Sequence, residues 1–290
     1  MQTSRRTILK QMALSTLAMG SSMPLSAAEK KELLKNNIHH SVCHWSYNFL
    51  TLDELCEVVK KIGFNAIDLV GPAHWPILKK HGVFSSMCNG AEINLVDGWI
   101  DPAFHPTLIK NYAEHIDLTA KAGYKNLICF SGSRRGMDEE TALKNMTEGI
   151  KKIIGQAEKK GIILHVEVLN SKIDHKDYMA DNTAWAVELC KRIGSENFKI
   201  LYDIYHMQVD EGDIIHTIRD NFQYFGHYHT AGVPGRHEID ESQELNYAAI
   251  MKAILATGYK GYVAQEFISS KNTRPEKIEA LAQAVKICDV

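Results

Sequence analysis

Eight short apolar runs, each followed by a helical stretch, leave this chain few folds to choose from. The runs lie at residues 38–45, 65–70, 83–88, 126–131, 162–168, 198–203, 223–229 and 262–265. Helical patterns fill residues 52–62, 74–81, 108–122, 138–160, 183–193, 213–220, 247–257 and 275–287. The strands are apolar throughout rather than alternating, as in a parallel sheet covered by helices on both faces. Gly63, Gly123 and Gly161 stop helices, and Asp138 is placed to cap one. Residues 89–106 read as loop, broken by Gly90, Gly98, Pro102 and Pro106. Eight such units within 290 residues predict a single closed (β/α)8 TIM barrel, an α/β fold, over residues 29–290. An open doubly wound sheet is the competitor, but no glycine-rich dinucleotide fingerprint follows the first strand.

Residues 1–28 stand outside that pattern. Ser4-Arg5-Arg6-Thr7-Ile8-Leu9-Lys10 resembles a twin-arginine export signal, followed by an apolar, small-residue stretch to about Met23 and by Ser26-Ala27-Ala28 as a cleavage site. This predicts a mature protein starting near Glu29, exported and periplasmic. The alternative is an uncleaved leader or membrane anchor. The run is short and rich in Ser and Thr for a spanning helix, and no later stretch is long and apolar enough, so no stable membrane insertion of the mature protein is expected. A net charge of -2 gives no electrostatic case for nucleic acid or an anionic surface. Six scattered cysteines show no metal-ribbon or C-x-x-C spacing, and no disulfide is expected to matter for the fold.

The stretch KILYDIYHMQ, residues 199–208, is the most informative segment. An apolar strand climbs to Asp203, and His206 follows. A carboxylate at a strand end either caps the next helix or belongs to a site. In a barrel, chemistry collects at the carboxyl ends of the strands. Reading those ends through the second half yields Glu167, Asp203, His229 and Glu266, one each from strands five to eight. Each alone has an ordinary explanation: an outward glutamate, a satisfied core histidine, a surface ion pair. Together they can converge on one point above the barrel. Three carboxylates and one imidazole suit a hard or borderline divalent ion, Mn2+ or Mg2+ first, Co2+ or Zn2+ next.

The segments HVEVLN, LYDIYHMQ, HYHTAGVPGRHEID with ELNY after it, and YVAQEF carry a resemblance. From about Ile38 onward the sequence resembles the hydroxypyruvate isomerase branch of the xylose-isomerase-like TIM barrels, a group that includes the ketose 3-epimerases. The resemblance implies that Glu167, Asp203, His229 and Glu266 are metal ligands and that Glu167 and Glu266 double as catalytic acid–base groups. It further implies that His206 and Arg236 contact substrate oxygens. Such a site moves a proton beside a carbonyl, with a base on one side and an acid on the other, while a divalent ion stabilises the enediolate. Two features sit apart from hydroxypyruvate itself as substrate: His229 as third ligand is more like the epimerases, and an export signal does not suit central cytosolic metabolism.

The first half of the barrel should supply specificity. His44 and Trp45 end strand one, His74 and Trp75 follow strand two, and Asn89 and Glu92 follow strand three. An indole can stack on a sugar face and imidazoles can bond its hydroxyls, so His44, His74 and Trp75 are read as substrate-binding, although they can equally well only line the mouth. Arg134 and Arg135 read as a solvated loop. The expected partner is a small sugar or hydroxy-keto acid, with no nucleic acid. Barrels of this kind often dimerise, so a homodimer is the protein partner considered. The leading expectation is a metal-dependent isomerase of the hydroxypyruvate isomerase type. A ketose 3-epimerase acting on a free sugar is the first alternative. Phosphodiester hydrolysis, as in the related endonuclease branch, and a non-catalytic exported sugar-binding barrel are the others.

Overall fold

The structure is a computed structural model in which residues 33–290 are described, so the export segment read at residues 1–28 lies outside the described residues. The eight strands are β1 (His39–Val42), β2 (Ala66–Asp68), β3 (Phe84–Met87), β4 (Asn126–Cys129), β5 (Ile163–Glu167), β6 (Phe198–Asp203), β7 (Phe225–Thr230) and β8 (Tyr262–Gln265). All pairings between them are parallel. Six strands hydrogen-bond in the order β1-β8-β7-β6-β5-β4, and β2 pairs with β3. Single parallel bridges at Cys43–Asp68 and Cys88–Leu127 join the two sheets at both edges. The ring is therefore complete, and the predicted TIM barrel is the observed one.

The surrounding helices are α1 (Leu52–Ile62), α2 (Trp75–His81), α3 (His105–Ala122), α4 (Glu139–Ile150), α5 (Ile154–Lys160), α6 (Thr183–Ile193), α7 (Ile204–Asp210), α8 (Ile214–Asn221), α9 (Tyr247–Ala256) and α10 (Arg274–Cys288). Local chemistry sets their ends. Thr51 and Glu54 form a capping box at the start of α1, and Thr273 and Glu276 form one at α10, satisfying otherwise orphaned N–H groups. Asp138 caps α4 by accepting the Thr141 N–H, as its position predicts. All six cysteines are free and buried in the packed interior.

The structure corrects several boundaries. The helix expected over residues 138–160 is two, α4 and α5. Gly149 lies against Trp99 and His105 so closely that an added Cβ would sit 2.8 Å from both rings. The chain turns there through i−3 bonds from Lys152 and Ile153 before α5 begins. Strand one stops at Val42 because residues His44–Tyr47 wind into a 3-10 turn. Helix α7 was not expected. It follows β6 directly because Asp203 caps it, accepting the His206 N–H at 3.1 Å. Among the described residues, no helix is long and apolar enough to cross a membrane.

Barrel interiors are ordinarily filled by branched apolar side chains. This one carries a polar thread instead. Ser41, Asp68, Ser86, His165, His227 and His229 are all buried. Ser41 and Ser86 hydroxyls meet at 2.5 Å, and Ser86 donates to Asp68 Oδ1 at 2.5 Å. Asp68 Oδ2 accepts from Nε2 of both His227 (3.0 Å) and His229 (2.7 Å). The thread leads to the carboxyl ends of the strands.

Candidate active site

Strand register brings the pieces together. Asp203 on β6 lies directly beside His229 on β7, and β8 runs beside β7 and ends one residue before Glu266. One ligand-type atom from each of Glu167, Asp203, His229 and Glu266 lies within 4.8 Å of the other three. His229 Nδ1 stands 3.0 Å from Glu167 Oε1 and 2.8 Å from Glu266 Oε2. All four side chains are buried. The four residues read from the strand ends are thus gathered at one point.

Their protonation follows from these contacts. Burial pushes Asp203 up to about 8, with Arg236 pulling the other way. Burial also raises Glu167, against the pull of His229. For Glu266 burial is outweighed by His229 and Arg236, which hold it well below the usual carboxylate range. Burial opposes charge on His229, yet its surroundings hold it well above the usual imidazole range. The Cys43 thiol, 3.7 Å from Nε2, is itself pushed up by burial and stays neutral. The charge that favours the imidazolium therefore comes from Glu266 and Asp68.

The donor set fits a divalent cation. Asp68 accepts a hydrogen bond from the Nε2–H of His229, leaving Nδ1 as the ring atom that faces Glu167 and Glu266. Nδ1 then meets two carboxylate oxygens, and only a proton or a cation between them relieves three converging acceptors. A buried, oxygen-rich set with one imidazole suits a hard or borderline divalent ion better than a thiolate-preferring metal.

Arg236 closes one side. Its Nη2 lies 2.5 Å from Glu266 Oε2 and 3.4 Å from Asp203 Oδ2. The guanidinium sits 5.2 Å from the Trp45 ring and 5.5 Å from that of Tyr205. Its backbone adopts φ 59°, as does that of Leu69 at 57°, and both residues line the cleft. Such left-handed backbone is costly for residues other than glycine and concentrates at sites where the surroundings enforce it. Trp45 Nε1 donates to Glu266 Oε1 at 2.7 Å, holding that carboxylate by its other oxygen. The cleft has a volume of about 510 Å3, with Glu92, Phe130 and His175 completing its walls beside Glu167, Glu266 and Arg236. A larger hollow of about 730 Å3 lies where the strands begin, lined by Tyr124, Tyr259 and Tyr262, but the carboxylate cluster is not there.

The remaining predicted residues fall in different places. His206 is fully buried beside Asp203, its Nε2 3.7 Å from Asp203 Oδ2. Burial and then Arg236 hold it well below the usual imidazole range. His44 and His74 pack edge to face at 5.9 Å in a neighbouring depression that shares Trp45 and Leu69 with the cleft. Trp75 does not reach the mouth: its indole is buried, donates to the Val70 carbonyl at 2.8 Å and packs on Tyr124 at 5.1 Å. Its expected substrate role is corrected to core packing, because the first residue of α2 turns inward. Arg134 pairs with Asp181 at 2.7 Å and Arg135 with Asp97. Asp68, Asn170, His175 and Tyr205 were not singled out from the sequence. Asp68 ends strand two with a carboxylate just as Asp203 ends strand six, so the signal was present.

A model of one family matches residues 56–288, described as xylose isomerase-like TIM barrel. The chain belongs to the xylose isomerase-like TIM barrel family. Within this family it is 26% identical over 246 residues to the hydroxypyruvate isomerase of Escherichia coli, covering 81% of this chain and 93% of that one. It is 33% identical over 107 residues to the 2-oxo-tetronate isomerase of Cupriavidus necator, covering 37% of this chain and 40% of the relative. With that relative and several others, the chain spans about half or less of the relative's length. Among solved structures, an AP endonuclease of family 2 from Brucella melitensis superposes with a TM-score of 0.74 at 23% identity, covering 85% of this chain and 98% of its own. The 3-keto-D-glucoside 4-epimerase of E. coli does so with a TM-score of 0.72 at 20% identity, covering 87% and 100%. At those identities the likeness is one of fold.

Proposed function

We propose that this protein is a divalent-metal-dependent isomerase that moves a proton between carbons next to a carbonyl in a small sugar or hydroxy-keto acid. One observation carries the reading: Glu167 and Glu266 meet at a single imidazole nitrogen in an open cleft, their acidities pushed in opposite directions. Neighbouring carboxylates with separated acidities are the arrangement from which acid and base roles are drawn. One glutamate accepts the proton and the other returns one. Arg236 and His206 orient substrate oxygens. Glu167, Asp203, His229 and Glu266 would hold the ion, whose positive charge would stabilise an enediolate. The names of the E. coli and C. necator relatives support the isomerase class. We further propose export, on the Ser4–Lys10 motif, the apolar stretch that runs to about Met23 and the Ser26-Ala27-Ala28 cleavage site.

The test is proton exchange in D2O. Purified protein is stripped with chelator, reloaded with Mn2+ or Mg2+, and offered a panel of ketoses and keto acids. Deuterium should enter the α-carbon of at least one. Glu167→Gln and Glu266→Gln should each slow it by about 100-fold or more without altering the circular dichroism spectrum. A loaded protein that exchanges no α-proton across the panel overturns the proposal. An epimerase is distinguished by deuterium appearing with inverted configuration at one carbon rather than at its neighbour.

A further inference from the structure

The second imidazole of the site, His206, is gripped by a chain of hydrogen bonds that determines where its proton lies. Nδ1 of His206 is 2.7 Å from Asn170 Nδ2. Which end of the Asn170 amide faces the ring is fixed by its other contacts. Oδ1 accepts the backbone N–H groups of Ile173 at 3.1 Å and Asp174 at 2.9 Å, so Nδ2 must be the atom turned toward His206. Nδ2 also donates to Asp174 Oδ2 at 2.7 Å, an oxygen that takes the Tyr205 hydroxyl at 2.9 Å. An amide nitrogen only donates, so the Nδ1 it meets must offer a lone pair. A proton on Nδ1 would set two donors against each other at 2.7 Å. The carboxylate of Asp174 is no alternative partner, lying 4.0 Å from Nδ1.

The neutral ring thus keeps its one proton on Nε2. That atom is buried and has no hydrogen-bond partner. It lies 3.7 Å from Asp203 Oδ2, beside the point where Glu167, Asp203, His229 and Glu266 converge. A buried N–H without a partner is rare in folded proteins and calls for an explanation. An acceptor oxygen brought in by the substrate supplies one.

We propose that Asn170, itself held by Asp174 and Tyr205, is a positioning residue that locks His206 as an Nε2–H donor aimed at a substrate oxygen. His206 then polarises that oxygen and takes no proton from it, which leaves proton abstraction to the glutamates. The substrate half of this inference rests on the isomerase reading; the tautomer does not.

The test exchanges the two partners. In the variant carrying Asn170→Asp and Asp174→Asn, the new amide donates to the new carboxylate, which must accept a proton from Nδ1. The His206 lone pair is then turned into the site. Histidine-15N spectra of the full chain loaded with Mg2+, with the His206 signals assigned from a His206→Gln variant, report the tautomer directly. Wild type should show protonated Nε2 and bare Nδ1, and the exchanged pair the reverse. In the α-proton exchange assay, the exchanged pair should lose about 100-fold in kcat, as when one oriented donor is removed. Mg2+ affinity should stay within about twofold, since neither residue is a proposed metal ligand. A wild-type spectrum with the proton on Nδ1 overturns the proposal outright, whether or not the variant folds. A reversed tautomer with unchanged kcat overturns the donor role. A correct tautomer with no turnover on any substrate counts against the isomerase reading and leaves Asn170's hold on the ring established.

Discussion

Loading the site with a divalent cation should expel at least two protons per ion near neutral pH. In the cation-free protein, burial lifts Asp203 to about 8, and the neighbouring acids hold His229 well above the usual imidazole range. Both groups are therefore protonated at about pH 6.5, whereas Glu266 is already ionised. A cation requires Asp203 as a carboxylate and His229 Nδ1 as a bare lone pair. Protons therefore compete with the ion, and affinity rises with pH by tenfold per unit for each proton displaced. Two protons give about 100-fold per pH unit, or about 2.7 kcal/mol. The dependence should relax by about one proton as pH passes the Asp203 value of about 8. Calorimetric titration of chelator-stripped protein with Mn2+, in two buffers of different ionisation enthalpy, counts the protons directly. Near pH 6.5 the count should be two or more, and it should fall by about one above the Asp203 value. No proton release together with a pH-independent affinity would show that the four side chains are not the ion's ligands, or that burial does not suppress their ionisation.

Two further outcomes follow from the packing. Trp75→Ala should destabilise the protein by about 3–5 kcal/mol, as for other buried aromatic truncations, and leave Mn2+ affinity unchanged; a change in ion affinity without a fall in melting temperature would restore Trp75 to the site. His40 is held below the usual imidazole range by burial, against the pull of Asp289, so the folded state resists a proton that the unfolded chain accepts near pH 6.5. Its contribution to stability is intact above that value and fades as pH falls toward the folded-state value, by up to about 1.4 kcal/mol per unit. Urea titrations of the cation-free protein should show a shallower acid dependence in His40→Gln, and equal slopes would refute this.

The four convergent residues were legible in the sequence because each stands at the carboxyl end of its own strand, a position the barrel converts into proximity. Trp75 occupied an equally suggestive position, one residue after His74, yet a helix starts there and turns the indole onto Tyr124. Strand ends report where the mouth is; they do not report which way a side chain leaves the following turn. Asp203 shows that two readings of one residue can both hold, since it caps α7 through one oxygen and faces Arg236 with the other. Asp68 also stands at a strand end, but its partners, His227 and His229, are 159 and 161 residues away in sequence, so its role as their acceptor is not written locally. The tautomer of His206 depends on Asn170, 36 positions earlier, and no local pattern encodes that contact.

The β2–β3 pair is stitched to the rest of the ring by one bridge on each side, Cys43–Asp68 and Cys88–Leu127. Backbone opens most readily where the fewest bonds restrain it, and the two seams of this plank carry the fewest ladder bonds of the ring. Asp68 and Ser86 ride on it, and Asp68 is the counter-charge that keeps His229 turned toward the cleft. Swinging the plank outward would rob that imidazole of its anchor, and an ion bound to the imidazole would in turn brace the plank. Under the metal-dependent reading proposed above, retention of the ion and tightness of this wall would be coupled through Asp68 and His229.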